Sequence, residues 1–294
     1  MRMLRIVGLF VVALVFLALA AVVGIFLGSE RMLAPRALPS PASAFSAAGG
    51  SVARGEHIAS SYGGCRECHG PSLGGRTMIP GGPMGTVAAP NLTRGTGGVG
   101  GALSDADFER AIRSGLRPDG TGLLIMPASA FSHLSDGDVR DVIAYVRSVP
   151  PVDAAPPARV VGPLARFLIA TGKMHVQPDL VDAGATHLAV SPAGVTLEHG
   201  AYLARVGGCM ECHGANLGGG HFQGSPKDPP ATNLTRGAIG SWTQADFVRT
   251  LRTGRDPLGH MLDPFMPWRA FGQMNDDELA AIWLYLRSVP PIKS

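Results

Sequence analysis

One pattern occurs twice in this chain, and it governs what the rest can be. Gly63-Gly64-Cys65-Arg66-Glu67-Cys68-His69-Gly70 returns as Gly207-Gly208-Cys209-Met210-Glu211-Cys212-His213-Gly214. Pro90-Asn91-Leu92-Thr93-Arg94-Gly95 returns from its second residue as Asn233-Leu234-Thr235-Arg236-Gly237, and Met126-Pro127 with Phe131 returns as Met266-Pro267 with Phe271. Tyr145-Val146-Arg147-Ser148-Val149-Pro150-Pro151 returns as Tyr285-Leu286-Arg287-Ser288-Val289-Pro290-Pro291. The copies are offset by 144 residues at the Cys pairs, 142 at the Asn and 140 at the Met and Tyr, so only a few loop residues differ between them. Such a period is far beyond the roughly 20–50 residues of solenoid repeats. A whole domain is duplicated, as 51–150 and 195–294.

Caps and apolar period predict three helices in each copy. Ser135 with Asp138 caps a helix whose Val139, Val142, Ile143 and Val146 share one face. Asn275 with Glu278 does the same for Leu279, Ile282, Trp283 and Leu286. A shorter helix runs from Ser104 to Gly115, mirrored from Thr243 to Gly254, each closed by a glycine suited to the left-handed residue after a helix. A third precedes each Cys pair, near Ala53 to Ser61 and Leu197 to Arg205. No alternating strand pattern of useful length appears, so the expectation is all-α. With 40 glycines and 24 prolines in 294 residues, three short helices and long loops make a poor core by themselves. Another group is expected to fill each domain.

Cys-x-x-Cys-His names that group. Two Cys one helical turn apart form thioethers with the vinyl groups of a porphyrin, and the adjacent His ligates its iron. Cys65, Cys68 and His69 hold one haem in this reading, and Cys209, Cys212 and His213 the other. Zinc and disulfides compete. A zinc ribbon sets its Cys pairs about 15–20 residues apart, whereas here 141 residues separate them; disulfides give no reason for a His after both second Cys.

With the Cys pairs and terminal helices in register, the chain resembles the class I cytochrome c family, duplicated as in dihaem cytochromes c. That resemblance implies two covalently attached haem c groups, with a Met as sixth iron ligand from the loop before the last helix. Met126 and Met266 stand there and share the following Pro; Met78, Met84, Met261 and Met274 are rivals out of register. Thioether ligation implies raised reduction potentials. The family also fixes its ligating His by a bond from the ring to a backbone carbonyl, for which Pro90 is the counterpart in the first copy and Thr232 in the second. Arg94 and Arg236 follow as candidate partners of haem propionates, with a solvated surface role as the alternative; Trp242 is a third candidate. Of the other histidines, only His57 and His199 match between copies, as Glu56-His57 and Glu198-His199, and a helix-face role is expected for both.

The N-terminus sets the compartment. From Ile6 to Gly28 no residue is charged, with Arg2 and Arg5 before and Glu30 and Arg31 after. Such a run crosses a hydrocarbon core of about 30 Å, and its basic leading flank keeps the N-terminus in the cytoplasm. A signal peptide cut after Ala20 is the rival; the apolar run continues through Ala21 to Leu27, which favours an uncleaved anchor. The organisation expected is an anchor at 1–28, a Pro/Ala/Ser-rich tether at 29–50, domain one at 51–150, a linker strap at 151–194 and domain two at 195–294. The strap carries an apolar stretch, Val160 to Gly172, read as packing between the domains or as a docking surface for a partner.

The net charge of +3 invites a nucleic-acid reading that its distribution removes. Each domain carries nine basic and nine acidic residues and the linker three of each, so the whole surplus flanks the apolar run. The copies resemble the cytochrome subunits of membrane-bound alcohol and gluconate dehydrogenases. The resemblance implies a single-pass bacterial plasma-membrane protein with its haem domains on the periplasmic side. It implies an electron carrier rather than an enzyme, with a dehydrogenase, a quinone-linked complex or a terminal oxidase as redox partners. A dihaem peroxidase, and a haem-bearing structural or sensing subunit of a larger complex, are the alternatives.

Overall fold

The computed structural model describes residues 2–38, 45–182, 184, 186–222 and 229–293; the middle of the tether, 39–44, lies outside them. The chain opens with a 32-residue helix α1 (Arg2–Leu33), apolar and long enough to cross a membrane. The first copy follows as α2 (Val52–Ser60), α3 (Cys65–His69), a hairpin of β1 (Arg76–Pro80) and β2 (Gly85–Ala89) around a 3₁₀ turn at Gly82–Met84, then α4 (Asp105–Ser114), α5 (Ala128–Phe131) and α6 (Asp136–Ser148). The linker contributes β3 (Val160–Val161) and α7 (Pro163–Ala170). The second copy holds α8 (Leu197–Val206), α9 (Cys209–His213), α10 (Arg236–Ile239), α11 (Gln244–Thr253), α12 (Trp268–Phe271) and α13 (Asp276–Ser288).

The helix ends follow from local chemistry. Ser104 and Asp107 form a reciprocal capping box on α4, Thr243 and Asp246 on α11, and Asn275 and Glu278 on α13. Gly115 and Gly254 close α4 and α11 at φ of 64° and 68°, a region in which only glycine is unstrained. Within each copy the first helix crosses the last at a glycine. A Cβ on Gly55 would collide with the Asp141 carbonyl of α6, and one on Gly200 with the Ala281 carbonyl of α13.

The fold is mostly helical, as expected, with one addition. β1, β2 and β3 form a small antiparallel sheet in that order, two strands from the first copy and one from the linker. Its strands are short, half-buried and bulged between Thr77 and Ile79, so they lack the long alternation that marks a strand in sequence. The linker strap packs largely on the first domain and the end of α1: β3 pairs with β2, α7 packs on α1, and the Asp136 and Gly137 N–H groups donate to Leu188 and Ala189 carbonyls at 2.8 and 3.0 Å.

One apolar core spans both copies, with Ile58, Leu73 and Ile143 from the first and Leu203, Leu217 and Leu279 from the second. The domains also share polar groups. Tyr202 of α8 reaches the start of α6, where its hydroxyl accepts from the Ser135 N–H at 2.9 Å and donates to Asp138 Oδ2 at 2.6 Å. Arg54 holds the other oxygen of Asp138 at 2.7 Å, and burial pushes the hydroxyl pKa values of both Tyr202 and its neighbour Tyr62 above the ordinary range. In return His57 of α2 places Nε2 2.8 Å from Glu278 at the start of α13.

These contacts correct the pairing of His57 with His199. The glycine crossings align Gly55 with Gly200, which makes Tyr202 the counterpart of His57. One extra residue between α2 and its Cys motif conceals that register in the sequence. His199 instead turns its Nδ1 to the Gly194 carbonyl at 2.7 Å, beside its own helix start.

Candidate functional site

Each Cys motif is a single helical turn pinned by backbone geometry at both ends. Gly64 and Gly208 precede α3 and α9 in the left-handed conformation, at φ of 54° and 70°. After each turn the chain doubles back: Gly75 N–H donates to the His69 carbonyl at 2.9 Å, and Gly219 N–H to that of His213 at 2.9 Å. Leu73 and Leu217 hold positive φ, 55° and 59°, the only non-glycine residues to do so among the described residues. Both are fully buried, and each gives its carbonyl to the leucine of the Asn-Leu-Thr segment at 2.8 Å. Strain retained at matching places in both copies marks a loop whose path is over-determined by its surroundings.

That loop orients the histidine. His69 Nδ1 lies 2.9 Å from the Pro90 carbonyl and His213 Nδ1 2.6 Å from that of Thr232. A carbonyl only accepts, so each Nδ1 carries the proton and each Nε2 lone pair is left to face a ligand. Burial lowers both histidine pKa values against the opposing pull of the carbonyl, which keeps the rings neutral as a metal ligand must be. Burial also pushes the Cys65 and Cys209 thiols up to about 12.

The sequence did not disclose what holds the carbonyl in place. Buried Asn91 donates to the Val152 and Ala154 carbonyls at 2.6 and 3.0 Å and accepts from the Thr93 N–H and hydroxyl at 2.9 and 2.8 Å. Asn233 repeats this with the Ile292 carbonyl at 2.8 Å and Thr235 at 2.8 and 2.7 Å. Val152 and Ile292 in turn donate their N–H to the two threonine hydroxyls at 2.9 Å. The clip ties the histidine-orienting loop to the Pro-Pro segment after the last helix. The joint recurrence of Asn-Leu-Thr and Val-Pro-Pro in both copies was its signal.

Met126 and Met266 sit in matching turns. Each gives its carbonyl to the residue after the next proline, Ala128 or Trp268, at 2.8 Å, and Pro127 and Pro267 both have φ of −78° ahead of α5 and α12. Both side chains are partly buried against the core. Their rivals have other surroundings: Met274 fills the core, Met261 is 51% exposed, Met84 lies in the hairpin turn, and Met78 receives Arg76 at 3.8 Å. The Arg94 guanidinium donates to the Arg147 carbonyl at 2.6 Å, at the end of α6. Arg236 is exposed at the start of α10, and Trp242 packs on the core.

The donor set fits a covalently attached porphyrin better than its rivals. Among the described residues no three His, Cys, Asp or Glu side chains converge on a point, as a zinc site requires. Trp268 Nε1 is buried with no hydrogen-bond partner among the described residues, a donor in want of an acceptor such as a carboxylate at a porphyrin edge.

Comparison with known families decides the matter. Residues 197–290 match the family model described as cytochrome c, and residues 50–146 match that described as cytochrome c oxidase, cbb3-type, subunit III. The chain belongs to the cytochrome c family. Cytochrome c domains imply covalently bound haem c. This cytochrome is 30% identical over 275 residues to the fructose dehydrogenase cytochrome subunit of Gluconobacter japonicus, an overlap covering 86% of the chain and 54% of that subunit. It is 29% identical over 295 residues to the diheme cytochrome c-type protein of Cereibacter sphaeroides, covering 90% of the chain and 95% of the relative. The cytochrome c subunit of the quinone alcohol dehydrogenase of Gluconacetobacter polyoxogenes is 30% identical over 277 residues, covering 82% and 56%. The chain thus spans about half the length of the two dehydrogenase subunits.

Proposed function

We propose that this cytochrome is a membrane-anchored dihaem electron carrier, taking electrons from a dehydrogenase on the periplasmic side and passing them to a quinone-linked complex or terminal oxidase. The carrying observation is that both copies present the same histidine, its Nδ1 bonded to a carbonyl, together with the same Met-Pro turn. Cys65 and Cys68 would attach one haem, with His69 and Met126 as its iron ligands; Cys209, Cys212, His213 and Met266 would hold the other. When bound, the haems supply a one-electron ferric/ferrous couple. The residues do the rest: the carbonyls of Pro90 and Thr232 fix the histidine rings, and Met126 and Met266 would each supply a second iron ligand that keeps water and substrate away. Trp268, whose buried indole N–H has no partner among the described residues, would give it to a carboxylate of the second haem. Arg94 is engaged at the end of α6 and has no part in this assignment, and exposed Arg236 is a surface residue. The likeness to dehydrogenase subunits supports a dehydrogenase as donor, and α1 supports the anchor.

The test is purification of the full chain from detergent-solubilised membranes. Two haems per chain, two one-electron waves on redox titration and co-purification of a dehydrogenase are expected. Turnover of hydrogen peroxide, which needs a vacant or displaceable axial ligand, would overturn the reading in favour of a peroxidase.

A further inference from the structure

Where α1 leaves its apolar stretch, two other segments close on it. Arg166 of α7 pairs with Glu30 at 2.5 Å, donates to Ser29 Oγ at 3.0 Å and lies 4.5 Å over the Phe26 ring. Ala170 would stand 3.6 Å from a Cβ on Gly28. The inner face of α7 is satisfied: Ile169 is fully buried with Leu33, Leu124 and Val176 in a small second core. Its outer face carries Leu164 and Phe167, 43% and 45% exposed. Beside α7 lies the hairpin tip, joined to it by the Gly162 N–H donating to the Met84 carbonyl at 3.1 Å. Pro80, Gly82 and Pro83 are exposed there, and no residue from Thr77 to Asn91 carries a charge.

We propose that α7 and the hairpin tip form a second contact of this chain with the bilayer, seating Leu164 and Phe167 in the interfacial layer beside the emerging α1. The proposal rests on α1 spanning the membrane. Level, chemistry and continuity support it. At 1.5 Å per residue, Phe26 to Leu33 cover about 10 Å, enough to cross one headgroup layer of roughly 5–8 Å. α7 docks on that stretch, so its outer face lies where hydrocarbon gives way to headgroups. The face is apolar and its one cation is paired inward with Glu30, so no charge opposes burial of Leu164 and Phe167 at the headgroup/acyl boundary. It also continues the exposed apolar surface of α1 at Phe26, itself 49% exposed. Four elements, α1, α7 and the two hairpin strands, then share the load of fixing the first domain against the membrane, where a single helix would hold it at one point.

The full-length holoprotein is reconstituted in phosphatidylethanolamine/phosphatidylglycerol vesicles containing a lipid with a diazirine near its headgroup, irradiated, and its peptides mapped. Adducts on both 6–28 and 160–173 are expected. Adducts on 6–28 alone would overturn the interfacial contact and leave the anchor standing; adducts on neither would remove the anchor and this contact with it. In parallel, Phe167→Cys and Leu258→Cys are each labelled in the vesicles with a membrane-impermeant maleimide, the motif cysteines being consumed as thioethers and the haem spectrum reporting folding. Leu258 is 80% exposed in the second domain. Labelling at least tenfold slower at 167 than at 258 is expected. Equal rates in vesicles, with protection at 167 appearing only in native membranes, would assign this face to a protein partner and overturn the proposal.

Discussion

Two methionines carry the chemical character proposed for this cytochrome. Met126→Ala and Met266→Ala are each expected to remove about half of the weak near-infrared absorption of Met-ligated ferric haem and to lower the potential of that domain alone, with both haems still attached through their cysteines. Persistence of the full band in both variants would move ligation elsewhere. The cysteines, the histidines and the shared Met-Pro turn were all legible in the sequence, because each is a side chain chosen for its chemistry and repeated at near-constant spacing. Arg94 shows how a local signal leaves two partners open: a guanidinium after a conspicuous motif suggests an anionic partner, while a helix end with unsatisfied carbonyls competes for it, and one of its nitrogens meets the Arg147 carbonyl. Asn91 and Asn233 went unassigned because their partners, the backbone at Val152 and Ile292, are about 60 residues away and leave no side-chain signature.

At the scale of elements, caps and apolar period located the long helices to within a residue or two, since those signals are local. What escaped is non-local. The hairpin of β1 and β2 is half-covered by the linker, and α7 is stabilised by α1, more than a hundred residues earlier. The crossings of α2 with α6 and α8 with α13 depend on two glycines that sequence marks only as tolerated interruptions of a helix. Replacing either with alanine forces a methyl group into a backbone carbonyl. Gly55→Ala and Gly200→Ala are each expected to cost at least about 2 kcal/mol in chemical denaturation, although alanine is the better helix former. A neutral or stabilising effect at both positions would show that the helices part readily and that the crossings are not close.

For the molecule as a whole, the polar exchange between the copies matters most. Domain duplication was plain from the repeat, but the packing of one copy on the other was not, because it hangs on His57 and Tyr202, residues of different type at equivalent places. Tyr202→Phe strips a buried acceptor from the Ser135 N–H and a donor from Asp138, a loss of about 1–3 kcal/mol. The consequence should appear in the opposite half of the chain: amide exchange at residues 133–140 is expected to accelerate in this second-domain variant, as read by mass spectrometry. Unchanged exchange there, with effects confined to α8, would mean that the halves are stabilised independently. The crossed reach of His57 and Tyr202 also limits how such a gene can be rearranged. Each half finishes the start of the other's final helix, so a recombinant that takes one repeat from a distant relative inherits a mismatched seam, and the two repeats must diverge in step.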